Sequence, residues 1–419
     1  MNTANTRSFL SSLIRALAAI AGGCLVLLGL AMSLFYLVMP FVVSPDKNKI
    51  VVNVVLAGLG TGATTLGLLL FYQGLRALLA RPSGTLRFPR AAWTVALGGG
   101  LFLVMILGGM VALLPGGIVS AFVFPPFHVV AQAMPPIIVL LLTGGVAFPR
   151  RTAPPADQRP TWRQLVAQLT YGSLGAVSLS MILEIVLIAL VFLVIVIIVL
   201  LIPGRLATWQ DLLTIIRSNP RWQDDADLAR RVIAMPEVLV LLVFITLIIA
   251  PLMEEAVKAL GVALLSHRVR SAGTALVFGL TCGAGFAVAE SWLNGAGTIE
   301  PLEWGGVAVL RFGSSLMHCL NGALMGLGWY YAIWRRQPWR LLGAYLLSLT
   351  IHILWNLVAT AMGVVPMQLG GEEQWFSPAS IANYLLAGLL FVYTAIMLAG
   401  LLWLARRTRP YAEPALSRP

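Results

Sequence analysis

Residues 238–260 read "VLVLLVFITLIIAPLMEEAVKAL". The run from Val238 to Ala250 is what a lipid-facing helix requires, yet it leads directly into Glu254, Glu255 and Lys258. One ionised side chain at mid-bilayer costs roughly 3 kcal/mol on insertion scales, so such groups persist where they face a partner or a cavity. Two carboxylates and an ammonium within a single helical turn ask for a chemical reason.

The rest of the chain sets the context for that stretch. Its 419 residues are 59% hydrophobic and 11% charged, with a mean hydropathy of +0.90. Soluble domains do not reach such values. Crossing a hydrocarbon core of ~30 Å takes about 20 apolar residues. Ten stretches qualify, near 17–42, 50–72, 92–114, 118–148, 173–202, 237–265, 272–293, 306–333, 341–365 and 380–404. The expected fold is an all-α polytopic membrane protein of about ten transmembrane helices. Of the 28 Lys and Arg residues, 19 fall on one side of that arrangement, among them Arg7, Arg81, Arg150, Arg268, Arg335 and Arg418. Basic residues collect on the cytoplasmic face, so both termini are expected in the cytoplasm of a multi-pass protein of the cell membrane. Asp211, Asp224, Asp225, Asp227, Glu300, Glu303, Glu372 and Glu373 fall on the opposite side.

A net charge of +12 therefore belongs to a basic face beside anionic lipid, and no basic cluster with interleaved aromatics suggests nucleic acid. The first apolar stretch is too long for a signal-peptide core and is read as a span. Cys24, Cys282 and Cys319 all lie in spans and suggest neither a disulfide framework nor a metal knuckle.

Four segments follow from this pattern. Residues 1–165 form a Gly-rich, four-span unit of unknown role, with His128 and Gln132 sharing a helix face. Residues 166–236 hold the fifth span, which carries Glu184, and an extracytoplasmic loop at 204–236 with partly helical apolar spacing. Residues 237–365 hold most of the remaining intramembrane polar groups, and 366–419 supply the last span and a basic tail.

Within 237–365 the polar groups sit in "EEAVK" (254–258), "GFAVAE" (285–290), "RFGSSLMHCLNG" (311–322) and "HILWN" (352–356). On a helix Lys258 lies four residues from Glu254 and three from Glu255, so one carboxylate can be neutralised locally and the other left for chemistry. Arg311 and His318 are seven residues apart, and His352 and Asn356 form an i,i+4 pair. Both histidines come out ~16 to 18 Å along their helices, near the midplane. An internal network pairing Glu255 with Lys258 and Glu290 with Arg311 would explain any one of these residues. Two carboxylates, two midplane histidines and an asparagine exceed what packing needs, and histidine is the natural proton carrier near neutral pH.

Hydrolysis within a membrane needs a water activator and a group that stabilises the oxyanion. The chain has no H-E-x-x-H, no G-x-S-x-G, and none of its six aspartates in a span. Glutamate with histidine remains. A proton- or ion-coupled transporter using the buried Glu, Arg and His network is the alternative, although no inverted repeat of the kind many transporters carry is visible.

These stretches resemble the PrsW-type intramembrane proteases, within the wider group of CAAX prenyl proteases and Abi proteins. The matching residues are Glu254, Glu255 and Lys258, then Phe286 and Glu290, then His318, then His352 and Asn356, over 237 to about 365. The resemblance implies a peptidase that cleaves a membrane-anchored protein within the lipid bilayer of a prokaryotic plasma membrane. Two mechanisms suit the residues. With a metal, Glu254 or Glu255, His318 and His352 hold a divalent ion such as Zn²⁺ and leave one position for water. Without one, Glu254 is the general base, His318 helps hold the water, and His352 with Asn356 donates to the oxyanion. Lys258, Glu290 and Arg311 support either arrangement.

Overall fold

The computed structural model describes residues 3–43, 46–149, 159–218, 226–265, 269, 271–294, 299–369 and 377–409. Arg150, Arg268, Arg418, Asp224, Asp225, Glu372 and Glu373 lie outside the described residues. In chain order the helices are α1 (Thr3–Val42), α2 (Asp46–Leu78), α3 (Ala91–Leu113), α4 (Gly117–Ala147), α5 (Trp162–Leu201), α6 (Arg205–Ser218) and α7 (Ala226–Ile233). They continue as α8 (Pro236–Leu264), α9 (Ala272–Asn294), α10 (Pro301–Trp334), α11 (Pro338–Gln368) and α12 (Pro378–Arg407). The expected all-α polytopic class is what is found.

Nine of the described helices are long and apolar enough to cross a membrane. The remaining expected span, 306–333, coincides with α10, which has 34 residues. Arg311, Ser314, Ser315, His318 and Asn321 make it less apolar than the other nine spans in their most hydrophobic stretches. Its length of ~51 Å at 1.5 Å per residue exceeds the hydrocarbon thickness. The expected extracytoplasmic loop at 204–236 contains the helices α6 and α7, and its residues 219–225 lie outside the described set.

By internal contacts the chain divides into two units. The first comprises Met1–Val177, Lys258–Ser348 and Thr394–Pro419, and the second Ser178–Val257 and Leu349–Tyr393. Helices α5, α8, α11 and α12 each contribute a stretch to both.

In the first unit α9 is the interior helix, with 89% of its most apolar window buried, against 6% for α5. It meets α10 along two glycine pairs four residues apart, Gly279 with Gly283 and Gly322 with Gly326. A Cβ built on Gly279 would stand 1.9 Å from the Gly322 carbonyl oxygen, and one on Gly283 would stand 2.1 Å from that of His318. Only glycine allows backbones so close, and small residues at this spacing bring membrane helices into direct contact. On the other flank a core of Ile50, Val54, Ile106, Phe124, Trp304 and Ala308 joins α2, α3, α4 and α10.

Helix α4 contains two proline pairs, Pro125–Pro126 and Pro135–Pro136. A proline lacks the N–H that would serve the carbonyl four residues earlier. Pro125 and Pro126 thus release the carbonyls of Ala121 and Phe122. Asn53 Nδ2 of α2 donates to Ala121 O at 2.9 Å, and the Tyr36 hydroxyl of α1 donates to Phe122 O.

The second unit is held by polar contacts at its ends. Arg205 lies 3.4 Å from the Glu237 carboxylate. The Tyr393 hydroxyl donates to Ile351 O at 3.0 Å, and its ring stacks on Trp355. Within α8, residues Phe244–Ile249 form a π-helical turn immediately before the carboxylate pair. Such turns open the backbone ladder and are frequent at functional sites.

Candidate active site

The polar residues fall into two groups, one in each unit. In the second unit Glu254 and Glu255 stand on α8, and His352 and Asn356 one turn apart on α11. Glu255 is fully buried and its Oε1 lies 2.8 Å from His352 Nδ1. A carboxylate only accepts, so Nδ1 carries the proton and donates. The other ring nitrogen, Nε2, faces Glu254 Oε2 at 4.0 Å. Glu254, Glu255 and His352 each offer a ligand atom within 4.8 Å of the others. Asn356 Nδ2 donates to Thr246 O at 2.8 Å, inside the π-helical turn. Its amide braces the segment that leads into Glu254.

In the first unit the centre is His318, 1% exposed on α10. Lys258 Nζ lies 2.8 Å from His318 Nδ1. An ammonium only donates, so Nδ1 accepts and the ring proton sits on Nε2. Nε2 meets Glu290 Oε2 at 2.5 Å. Glu290 Oε1 in turn receives Arg311 at 3.2 Å, and Arg311 Nε donates to Ser291 Oγ at 3.3 Å. The expected pairing of Glu290 with Arg311 is therefore present. Lys258 also lies over the Phe286 ring, 4.2 Å from its centroid, and that ring sits 5.2 Å from the imidazole of His318. The result is a continuous run Lys258–His318–Glu290–Arg311, in which a neutral imidazole links the ammonium to the carboxylate and an aromatic face shields the ammonium.

Spacing on one helix suggested Lys258 as a neighbour of Glu255, and Glu255 also meets His352, 97 residues away. Sequence reading also left out Ser291, Phe286 as a cation shield, and the hydrogen bond from Asn356 to Thr246. The Phe in "GFAVAE" was the one visible signal for the second of these.

A divalent ion suits the donor set of the second unit. Carboxylate oxygen and imidazole nitrogen are the usual N/O ligands of zinc. A carboxylate on Nδ1 with Nε2 left to face the ligand side is the recurrent second-shell pattern of metal-bound histidine. His318 is engaged at both ring nitrogens, Nδ1 by Lys258 and Nε2 by Glu290, so it would have to release one of them to hold an ion.

The profile of a family described as PrsW family intramembrane metalloprotease matches residues 160–396, more than half of the chain. The match takes in α5 and most of α12 as well as the four motif stretches, so it is wider than 237–365. No curated protein and no solved structure matches the chain.

Proposed function

The chain belongs to the PrsW family of intramembrane metalloproteases, and from that premise we propose that it hydrolyses a peptide bond of a membrane-anchored protein with water activated by Glu254. The observation that carries this reading is the fixed imidazole of His352: Glu255 holds Nδ1 and thereby aims Nε2 at the Glu254 carboxylate. A base and a second polar group facing the same point are what water activation requires.

Each residue has a role under this reading. Glu254 takes a proton from the water as its oxygen bonds to the scissile carbonyl carbon, whose C=O electron pair moves to oxygen. When the C–N bond breaks, the same proton passes from Glu254 to the leaving amine. Glu255 orients His352. Asn356 keeps the π-helical turn, and so the start of the Glu254 helix, in place. His318, held between Lys258 and Glu290, is assigned to the same reaction as a supporting proton carrier. Helix α8 runs through Glu254 and Lys258 one turn apart, and this supports assigning both groups to a single reaction.

The two mechanisms differ in what His352 Nε2 carries. As a bare lone pair it would hold a divalent ion together with Glu254. Such an ion, when bound, lowers the pKa of water and polarises the carbonyl. As an N–H of the imidazolium it would donate to the oxyanion directly.

The deciding experiment is cleavage of a co-expressed single-span membrane protein by wild type and by Glu254→Gln. The variant keeps the shape and removes the base, so cleavage should fall by roughly 10²- to 10⁴-fold while the protein accumulates normally. Normal cutting by Glu254→Gln would place the water activator elsewhere. The arginine distribution further supports both termini in the cytoplasm of a cell membrane. Reporter fusions at both termini should score cytoplasmic, and a fusion in 204–236 should not.

A further inference from the structure

The helix that carries His318 is gripped at its far end by helices outside the family match. Trp304, in the first turn of α10, is fully buried. Its indole N–H donates to His128 Nδ1 of α4 at 3.0 Å. Phe124, also of α4, meets the indole edge-on with centroids 5.1 Å apart. On the α3 side Gly109 leaves the space for it: a Cβ there would lie 2.4 Å from the indole ring. Two turns further along, Phe312 of α10 packs on Phe102 of α3 at 5.9 Å between centroids. The step from Phe102 to Gly109 is seven residues and that from Phe312 back to Trp304 is eight, so α3 and α10 run antiparallel. Phe102, Gly109, Phe124 and His128 all precede residue 160, where the family match begins.

The opposite flank of α10 is its close seam with α9, where glycines let the backbones touch. On the flank toward α3 and α4, Trp304 adds a bulky ring and a directional bond. It stands 14 residues before His318, ~21 Å along the helix and close to four whole turns, so a shift or rotation at one is delivered to the other.

We propose that Trp304 is a positioning residue: its seat on Gly109, Phe124 and His128 sets the register of α10, and so the placement of His318 and Arg311 against Lys258 and Glu290. The inference rests on the catalytic reading of His318. It makes the N-terminal helices part of the peptidase and gives the buried His128 a task as acceptor.

The test uses the full-length protein with the single-span substrate, and compares kcat and KM with abundance and Tm. Trp304→Phe keeps an aromatic ring and removes the donor, and His128→Leu removes the acceptor. Both should lower kcat on the order of 10- to 100-fold, as expected for a catalytic group held slightly out of place, with KM within about twofold and Tm little changed. The double variant should be no worse than either single one, because both remove the same bond. His128→Gln retains an acceptor and should recover most of kcat. Wild-type kcat in both single variants overturns the proposal. So does a loss that tracks only the amount of folded protein, or the failure of both to accumulate, since the seat is then structural alone. His318→Ala, run in parallel, separates the two ideas: if it cleaves normally, the catalytic reading of His318 has failed. If it is inactive while the Trp304 and His128 variants are normal, only the present inference has.

Discussion

The two intramembrane histidines are both buried and both beside a carboxylate, but they are held in opposite ways. His352 donates from Nδ1 to Glu255 and turns Nε2 toward Glu254. His318 accepts at Nδ1 from Lys258 and gives Nε2 to Glu290. The first ring turns a nitrogen toward a carboxylate that nothing else on the ring engages. The second is a link in a chain of charge whose ends are an ammonium and a guanidinium. Residue type and depth alone made the two histidines look equivalent, and the difference lies in which group reaches Nδ1.

That contrast breaks most sharply if metal content fails to distinguish the two. His352→Ala should abolish bound zinc in the purified protein and lower cleavage by roughly 10²- to 10⁴-fold. His318→Ala should lose cleavage to a similar degree while keeping its metal. Loss of zinc in His318→Ala would return that ring to the ligand set. A smaller effect sharpens the role of Glu255. Glu255→Gln can still accept from Nδ1 but supplies no charge, and weakening such an outer partner costs about 10- to 100-fold in metal affinity or activity. Isothermal titration with zinc, beside a cleavage assay, would measure both, and unchanged values would show that Glu255 does not orient His352. The smallest effect should come from the backbone beneath His318. Gly283→Ala pushes a methyl at the His318 carbonyl, and overpacking of this kind costs roughly 1–3 kcal/mol. Its Tm should fall and its cleavage should drop several-fold with zinc retained, whereas an unaltered Tm would mean that the α9–α10 seam is looser than described.

The sequence carried the fold well because bilayer crossing is a local property. An apolar stretch such as Gly117–Ala147 or Pro338–Pro366 declares itself through length and composition. Helix α10 was legible as 306–333 even though Arg311, Ser314, Ser315, His318 and Asn321 lower its hydropathy. The candidate site residues were also legible, since a charge in an apolar run is conspicuous. Their partners were not. Glu255 meets His352 across 97 residues and Trp304 meets His128 across 176, and no local periodicity encodes either contact. Spacing on one helix pointed Glu255 at Lys258 because it can only nominate neighbours on that helix. The π-helical turn at Phe244–Ile249 was hidden likewise, as its residues are ordinary apolar ones.

The proline pair at Pro125–Pro126 bears on how the protein is made. A bare carbonyl in hydrocarbon costs several kcal/mol, so α4 gains from having partners at that point. The groups that satisfy it, Tyr36 and Asn53, belong to α1 and α2, which leave the ribosome earlier and are in the membrane when α4 arrives. Chain order is therefore also an order of biogenesis. A circular permutant that placed α1 and α2 after α4 would release into the bilayer a helix with two unserved carbonyls and no chaperoning neighbour.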